Sequence, residues 1–171
     1  SETWLSIPYD HPRPRLEVSM CFTALEQWDD NNVEFSDIFP YPSRLPETWF
    51  HDAVLFVQGG QSFVKYSYRP DLSGGQHGEG DRLFYALYPS NRGNVLTLVD
   101  NPNPAQKMHY SVCGNYVDIH VNFHSEQVPV PAGTTFDVRY ICELYGDGET
   151  DIDELKRIGL RATETGKLII D

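Results

Sequence analysis

The stretch TTFDVRYICEL, residues 134–144, alternates in character, with Phe136, Val138, Tyr140, Cys142 and Leu144 on one parity. A period of two is that of a β-strand with one face in a core, and the aromatic and β-branched content agrees. On this reading the five apolar residues share one face of the strand. The same alternation recurs on the N-terminal side. Leu16–Leu25 sets Leu16, Val18, Met20, Phe22 and Ala24 against Glu17, Ser19, Cys21 and Thr23. Ala53–Val57 is a short apolar run, and Gly59-Gly60 reads as a hairpin turn into Ser62–Tyr68. Arg82–Tyr88 is stopped by Pro89, Asn91–Asn94 turns the chain, and Val95–Val99 follows. Asp100–Pro104 is a rigid loop, because Pro fixes φ and lacks a donor. Lys107–Cys113 and Tyr116–Phe123 flank Gly114-Asn115, a tight hairpin. With the apolar tail Lys167–Asp171, these segments make about nine strands separated by turn signals. The expected fold is all-β, an antiparallel β-sandwich or jelly roll with one C-terminal helix.

That helix is announced by Thr150 as cap, with Asp153 in the capping-box position. Ile152, Leu155, Ile158 and Ala162 form its apolar stripe, and Gly166 stops it. Residues 1–50 are less regular. Trp28–Glu47 carries Pro40, Pro42 and Pro46 and reads as a long ordered loop over one end of the fold. No internal repeat appears, and residues 1–171 are expected to form a single domain. The chain opens at Ser1 without an initiator Met and closes on an apolar segment. It is therefore expected to be processed, or cut from something longer.

At 171 residues one ordinary core is feasible without staples, with roughly 70% of the chain's surface buried on folding. Asp plus Glu number 25 against 13 Lys plus Arg, a net charge of -12. Nucleic acid and anionic membrane surfaces demand the opposite sign, so neither is an expected partner. No run of about 18 apolar residues exists to span a bilayer. The three cysteines, Cys21, Cys113 and Cys142, show neither CxxC nor zinc-ligand spacing, and they read as small buried hydrophobes.

Several constellations are candidates for chemistry. Val117, Ile119, Val121 and Phe123 form one face of a strand; Asp118, His120, Asn122 and His124 form the other. A face of Asp, His, Asn and His must meet water, a cleft or a ligand. His120 and His124 stand about 13 Å apart on a strand, too far to share one metal. The Gly59-Gly60 hairpin supplies Tyr66, Tyr68 and Arg69. Tyr rings with nearby Arg, Asp and Asn are the groups a sugar site needs, a flat ring for stacking and polar groups for hydroxyls. The glycine-dense Ser73–Gly80 segment lacks the GK[ST] of a phosphate loop and reads as a mobile surface loop. Its His77 and Glu79 can serve as a lid over a neighbouring site. The candidate ligand-binding residues are therefore Tyr66, Tyr68, Arg69, His77, Asp118, His120, Asn122 and His124. The Tyr row and the His row share a site only if their strands share a sheet. No nucleophile elbow or Cys/His signature appears, and no catalytic residue is assigned. Glu143, Asp147, Gly148, Asp151 and Glu154 match an EF-hand register, but Tyr145 stands where a ligand belongs. No cofactor is expected; calcium is the one metal this acidic turn leaves open.

Residues 128–140, leading through Glu143-Leu-Tyr-Gly-Asp-Gly, resemble the closing strands of large β-sandwich domains. Such domains belong to polysaccharide-degrading enzymes, the galactose-mutarotase-like supersandwich group among them. Asp81–Asp100 shows the same likeness, so the resemblance covers the second half of the chain. It implies an extracellular or periplasmic carbohydrate context, with neighbouring domains of a parent enzyme as partners. The expected function is a non-catalytic carbohydrate-binding or accessory module. A catalytic sandwich (polysaccharide lyase or glycoside hydrolase) and a structural packing module are the alternatives.

Overall fold

The structure is a computed structural model that describes residues 2–7, 10–30, 32–35, 54–58, 61–66, 75–87, 94–113, 118–146 and 151–170. It is mostly sheet. Strands β1 (Glu2–Ser6), β2 (Arg15–Thr23), β4 (Val54–Gln58), β5 (Gln61–Tyr66), β7 (Arg82–Leu87), β8 (Asn94–Asp100) and β11 (Thr135–Tyr145) form an antiparallel sheet. Its order is β1-β2-β11-β8-β7-β4-β5. A smaller antiparallel sheet, ordered β3-β10-β9-β6, holds β3 (Asn32–Phe35), β6 (Gly75–Gly80), β9 (Gln106–Cys113) and β10 (Asp118–Ser125). One helix, α1 (Ile152–Thr165), follows.

β11 is the long alternating strand that the sequence singles out, and it lies between β2 and β8. Phe136, Val138, Tyr140 and Cys142 are buried with Val18, Leu83, Tyr85 and Val99 of the same sheet. Met108, Val121 and Phe123 of the small sheet belong to that cluster too. The cluster reaches Cys142 and stops, so Leu144, on the same face, is 52% exposed. Gly133 enters the turn before β11 at φ 87°, a left-handed angle that glycine adopts without a Cβ clash.

The opposite face of the large sheet is also covered. Phe84, Ala86, Leu96, Leu98 and Ile141 pack with Leu155, Ile158 and Ala162 of α1 and with Leu168 of the tail. The helix stripe is the expected one. Its cap is Asp151, whose carboxylate accepts from the N–H groups of Asp153 and Glu154. The cap thus sits one residue beyond Thr150, which lies outside the described residues. Gly166 ends the helix at φ 68°, as its position suggests.

Four further expectations are corrected. The glycine-dense segment is not a loop from Gly75 onward but the edge strand β6, paired to β9. Ladder hydrogen bonds with β9 override glycine's weak strand preference there. The irregular first third supplies β1 and β3, so eleven strands stand among the described residues. The tail makes no strand; it is held by Leu168 and by its carbonyls. Cys21 is only half-buried, whereas Cys142 is buried. Neighbouring positions alternate across β2, and Met20 joins the shared cluster, so Cys21 and Cys142 occupy opposite faces and cannot bridge. Burial pushes the Cys142 thiol up to about 11, against a hydrogen bond from Thr97 Oγ1 at 3.5 Å. The Gly59-Gly60 and Gly114-Asn115 turns, Cys113's side chain and residues 36–53 lie outside the description. The strands on either side of each turn do pair antiparallel, Gln58 with Gln61 and Cys113 with Asp118.

Phe123 is fully buried and brings the small sheet to the shared cluster. Truncating it to Ala is expected to cost about 3–5 kcal/mol, a large share of a domain's stability. Urea unfolding followed by tryptophan fluorescence measures it.

Candidate functional site

Two surfaces collect polar groups. The first is the outer face of the small sheet. Val121 and Phe123 point into the core, so Asn122 and His124 take the other side of β10. Register then assembles three adjacent rows. Glu34, Asn122, His109 and Glu79 lie across the four strands. Asn32, His124 and Lys107 form the row on one side, and His120, Ser111 and His77 the row on the other. His109 and His124 meet diagonally, ring centroids 4.5 Å apart and inclined at 64°. Glu79 Oε2 lies 3.8 Å from His109 Nε2, and Lys107 pairs with Glu126 at 3.3 Å. Asn122 Oδ1 is buried and has no hydrogen-bond partner among the described residues. An acceptor in that state costs about 1–3 kcal/mol.

Partial burial holds His124 below the usual imidazole range; the charge of His109 adds to this, and Asp30 opposes it. The folded protein therefore binds fewer protons than the unfolded chain once pH falls toward the ordinary value of about 6.5. Stability from this group is complete above that pH and is lost below it.

The second surface lies on the helix-side face of the large sheet, beyond the end of α1. Register lines up Trp4, Ser19, Arg139, Asp100 and Arg82 across five strands. A pocket of about 480 Å3 opens here, lined by Arg15, Arg82, Arg139 and Lys167, with Asp100 as its carboxylate. Arg82 is fixed: Nε donates to Asp100 at 3.0 Å and Nη1 to the carbonyls of Thr163 and Glu164 at 3.1 Å. Those carbonyls are the unpaired acceptors of a helix C-terminus, where a cation is favoured. A Cβ on Gly166 would stand 3.0 Å from the Arg82 guanidinium, so the glycine that ends the helix also admits this arginine. Arg15 donates to Glu17 at 2.8 Å, to Glu143 at 3.3 Å and to the Leu168 carbonyl at 3.1 Å. Arg139 is half-buried and makes no side-chain hydrogen bond or ion pair among the described residues.

The expected site residues divide accordingly. β5, with Tyr66, is the edge of the large sheet, whereas β10 is in the small one. The Tyr66 position and the His row therefore lie on different sheets, because β5 pairs with β4 and not with any strand of the small sheet. Tyr68 and Arg69 lie outside the described residues, as do the side chains of Tyr66, His77, Asp118 and His120. The strand positions of His77, Asp118, His120, Asn122 and His124 all fall on the small sheet, with Ser111 between His77 and His120. Glu143, first in the calcium register, is buried and ion-paired with Arg15 at 3.3 Å. Among the described residues no group of three or more His, Cys, Asp or Glu is placed to hold a metal. Sequence reading missed His109 as a member of the first surface, and the whole of the second. Arg139 was visible as a polar position of the alternating strand, but only the packing of α1 reveals the pocket beside it.

No protein-family model matches the chain, and no curated protein matches its sequence.

Acidification from pH 7.5 to 5.5 is expected to lower Tm more in the wild type than in a His124→Gln variant. Paired thermal melts across that range measure the difference, and parallel curves would show that His124 does not carry it.

Proposed function

We propose that the chain is a β-sandwich module that binds carbohydrate on the outer face of its small sheet, as an accessory part of a larger polysaccharide-degrading enzyme. The sandwich reading is supported by Met108, Val121 and Phe123, which share one apolar cluster with the large sheet. The binding reading rests on one observation. The register draws His77, His109, His120 and His124 with Asn122, Glu79, Asp118 and Ser111 into adjoining rows, while α1 lies across β4, β5 and β7 of the other sheet. The donors and acceptors of His109, Asn122, His124 and Glu79 suit the hydroxyls of an extended glycan. His109, 40% exposed, offers a ring edge beside them. The Asn122 amide, whose acceptor has no partner among the described residues, adds a polar group to this face. No residue of this face is assigned a catalytic role. An extracellular or periplasmic setting follows from the same reading, with neighbouring domains as the other partners.

A glycan-array screen, run with and without calcium, tests it. A hit is expected to weaken roughly five- to tenfold in Asn122→Ala and in His120→Ala, the loss of about one hydrogen bond each. An array without hits, or a hit indifferent to both variants, removes this face as the site. Turnover of the hit would instead support the lyase or hydrolase reading.

A further inference from the structure

The geometry points to a second ligand site, on the helix-side face of the large sheet, where Arg139 receives the carboxylate of an acidic saccharide and Trp4 stacks on its ring. It is separate from the small-sheet face and stands or falls without it. In a chain of net charge -12, the pocket gathers Arg15, Arg82, Arg139 and Lys167 around the single carboxylate Asp100. Three acids hold two of these cations. Asp100 neutralises Arg82, while Glu17 and Glu143 hold Arg15. Arg139 and the exposed Lys167 are left in excess, with no carboxylate on either among the described residues. A half-buried guanidinium without a partner gives up hydration and gains nothing for it. An oxyanion entering the pocket restores that loss, and the planar fork of arginine matches a carboxylate in two parallel hydrogen bonds.

The neighbours along the row select the rest of the ligand. Ser19 is exposed and directly opposite Arg139, and Trp4 is opposite Ser19. Residues directly opposite in a sheet share a face, so Trp4, Ser19 and Arg139 present to one side. Two strand spacings separate Trp4 from Arg139, roughly 10 Å. One pyranose with its carboxylate spans that interval. Trp4 is 68% exposed, an indole face open to the C–H face of a sugar ring. Ser19 stands between Trp4 and Arg139 in this row, and its hydroxyl is the group the row offers to a ring hydroxyl. The pocket beside Arg139, about 480 Å3, falls in the range of small-ligand sites.

Calorimetric titration of the full chain tests the assignment, with trigalacturonate, a neutral trigalactoside and inorganic phosphate as probes. Trigalacturonate is expected to bind, more weakly as salt rises, and the neutral trimer is expected not to displace it. Arg139→Gln should weaken binding at least tenfold, Arg139→Lys less, and Trp4→Ala about fivefold. Because Arg139 holds no partner among the described residues, its variants should melt like the wild type, which a thermal scan verifies. No binding of trigalacturonate, or equal binding to wild type and Arg139→Gln, overturns the site. Phosphate binding as tightly as trigalacturonate, with Trp4→Ala silent, overturns the saccharide assignment. Loss in Asn122→Ala with Arg139→Gln unaffected would move the ligand to the small sheet and equally overturn it.

Discussion

A strand buried on both faces leaves little water for its charged side chains, and β11 carries Arg139 and Glu143 on its helix side. Glu143 is 1% exposed and is met by Arg15 Nη1 at 3.3 Å, with Arg13 Nη1 at 3.7 Å and His11 Nε2 at 3.8 Å. Removing one partner from such a buried pair typically costs about 3–5 kcal/mol, because a bare charge remains. The same two arginines donate to the Leu168 and Ile170 carbonyls, so the charge of one buried carboxylate organises both ends of the chain. The C-terminal tail is thereby fixed without a ladder of its own. Arg139, four residues earlier on the same strand face, has no such answer, and the difference between the two is what separates structure from site.

The layering gives the sheets different outer faces. Helix α1 covers one end of the large sheet and stops at Gly166, and the stretch beyond that stop is where the cationic pocket opens. The helix contributes its C-terminal carbonyls to Arg82, so the pocket wall is partly backbone. The small sheet presents histidine, asparagine and carboxylate instead. In an acidic protein these surfaces differ in sign as well as shape, one drawing anions by a local cluster against the global field.

What could be read from sequence was whatever follows from local periodicity. The alternation of β2 and β11 and the stripe Leu155, Ile158 and Ala162 each correspond to a buried face. β6 was opaque because Gly75, Gly78 and Gly80 carry no strand signal; the pairing with β9 makes the strand. Leu144 shares the parity of the buried residues yet is exposed, because alternation says which side a residue faces but not where the opposing layer ends. The His row was legible as an alternation within one strand. Its neighbours His77 and His109 were not, since their adjacency is a matter of register across the sheet. Arg139 and Trp4 lie more than a hundred residues apart and meet only through β2.

The same topology sets an order of events. Arg15 and its partner Glu143 are separated by 128 residues, and β2 cannot complete its ladder until β11 exists. During synthesis at about 5–20 residues per second, β2 would wait roughly 6–26 s for that partner. Through that interval an apolar strand presents an unpaired edge, and contacts so distant in sequence also close slowly in a free chain. β11 is thus the strand that closes the large sheet, and a chain cut short before it leaves β1 and β2 paired only with each other.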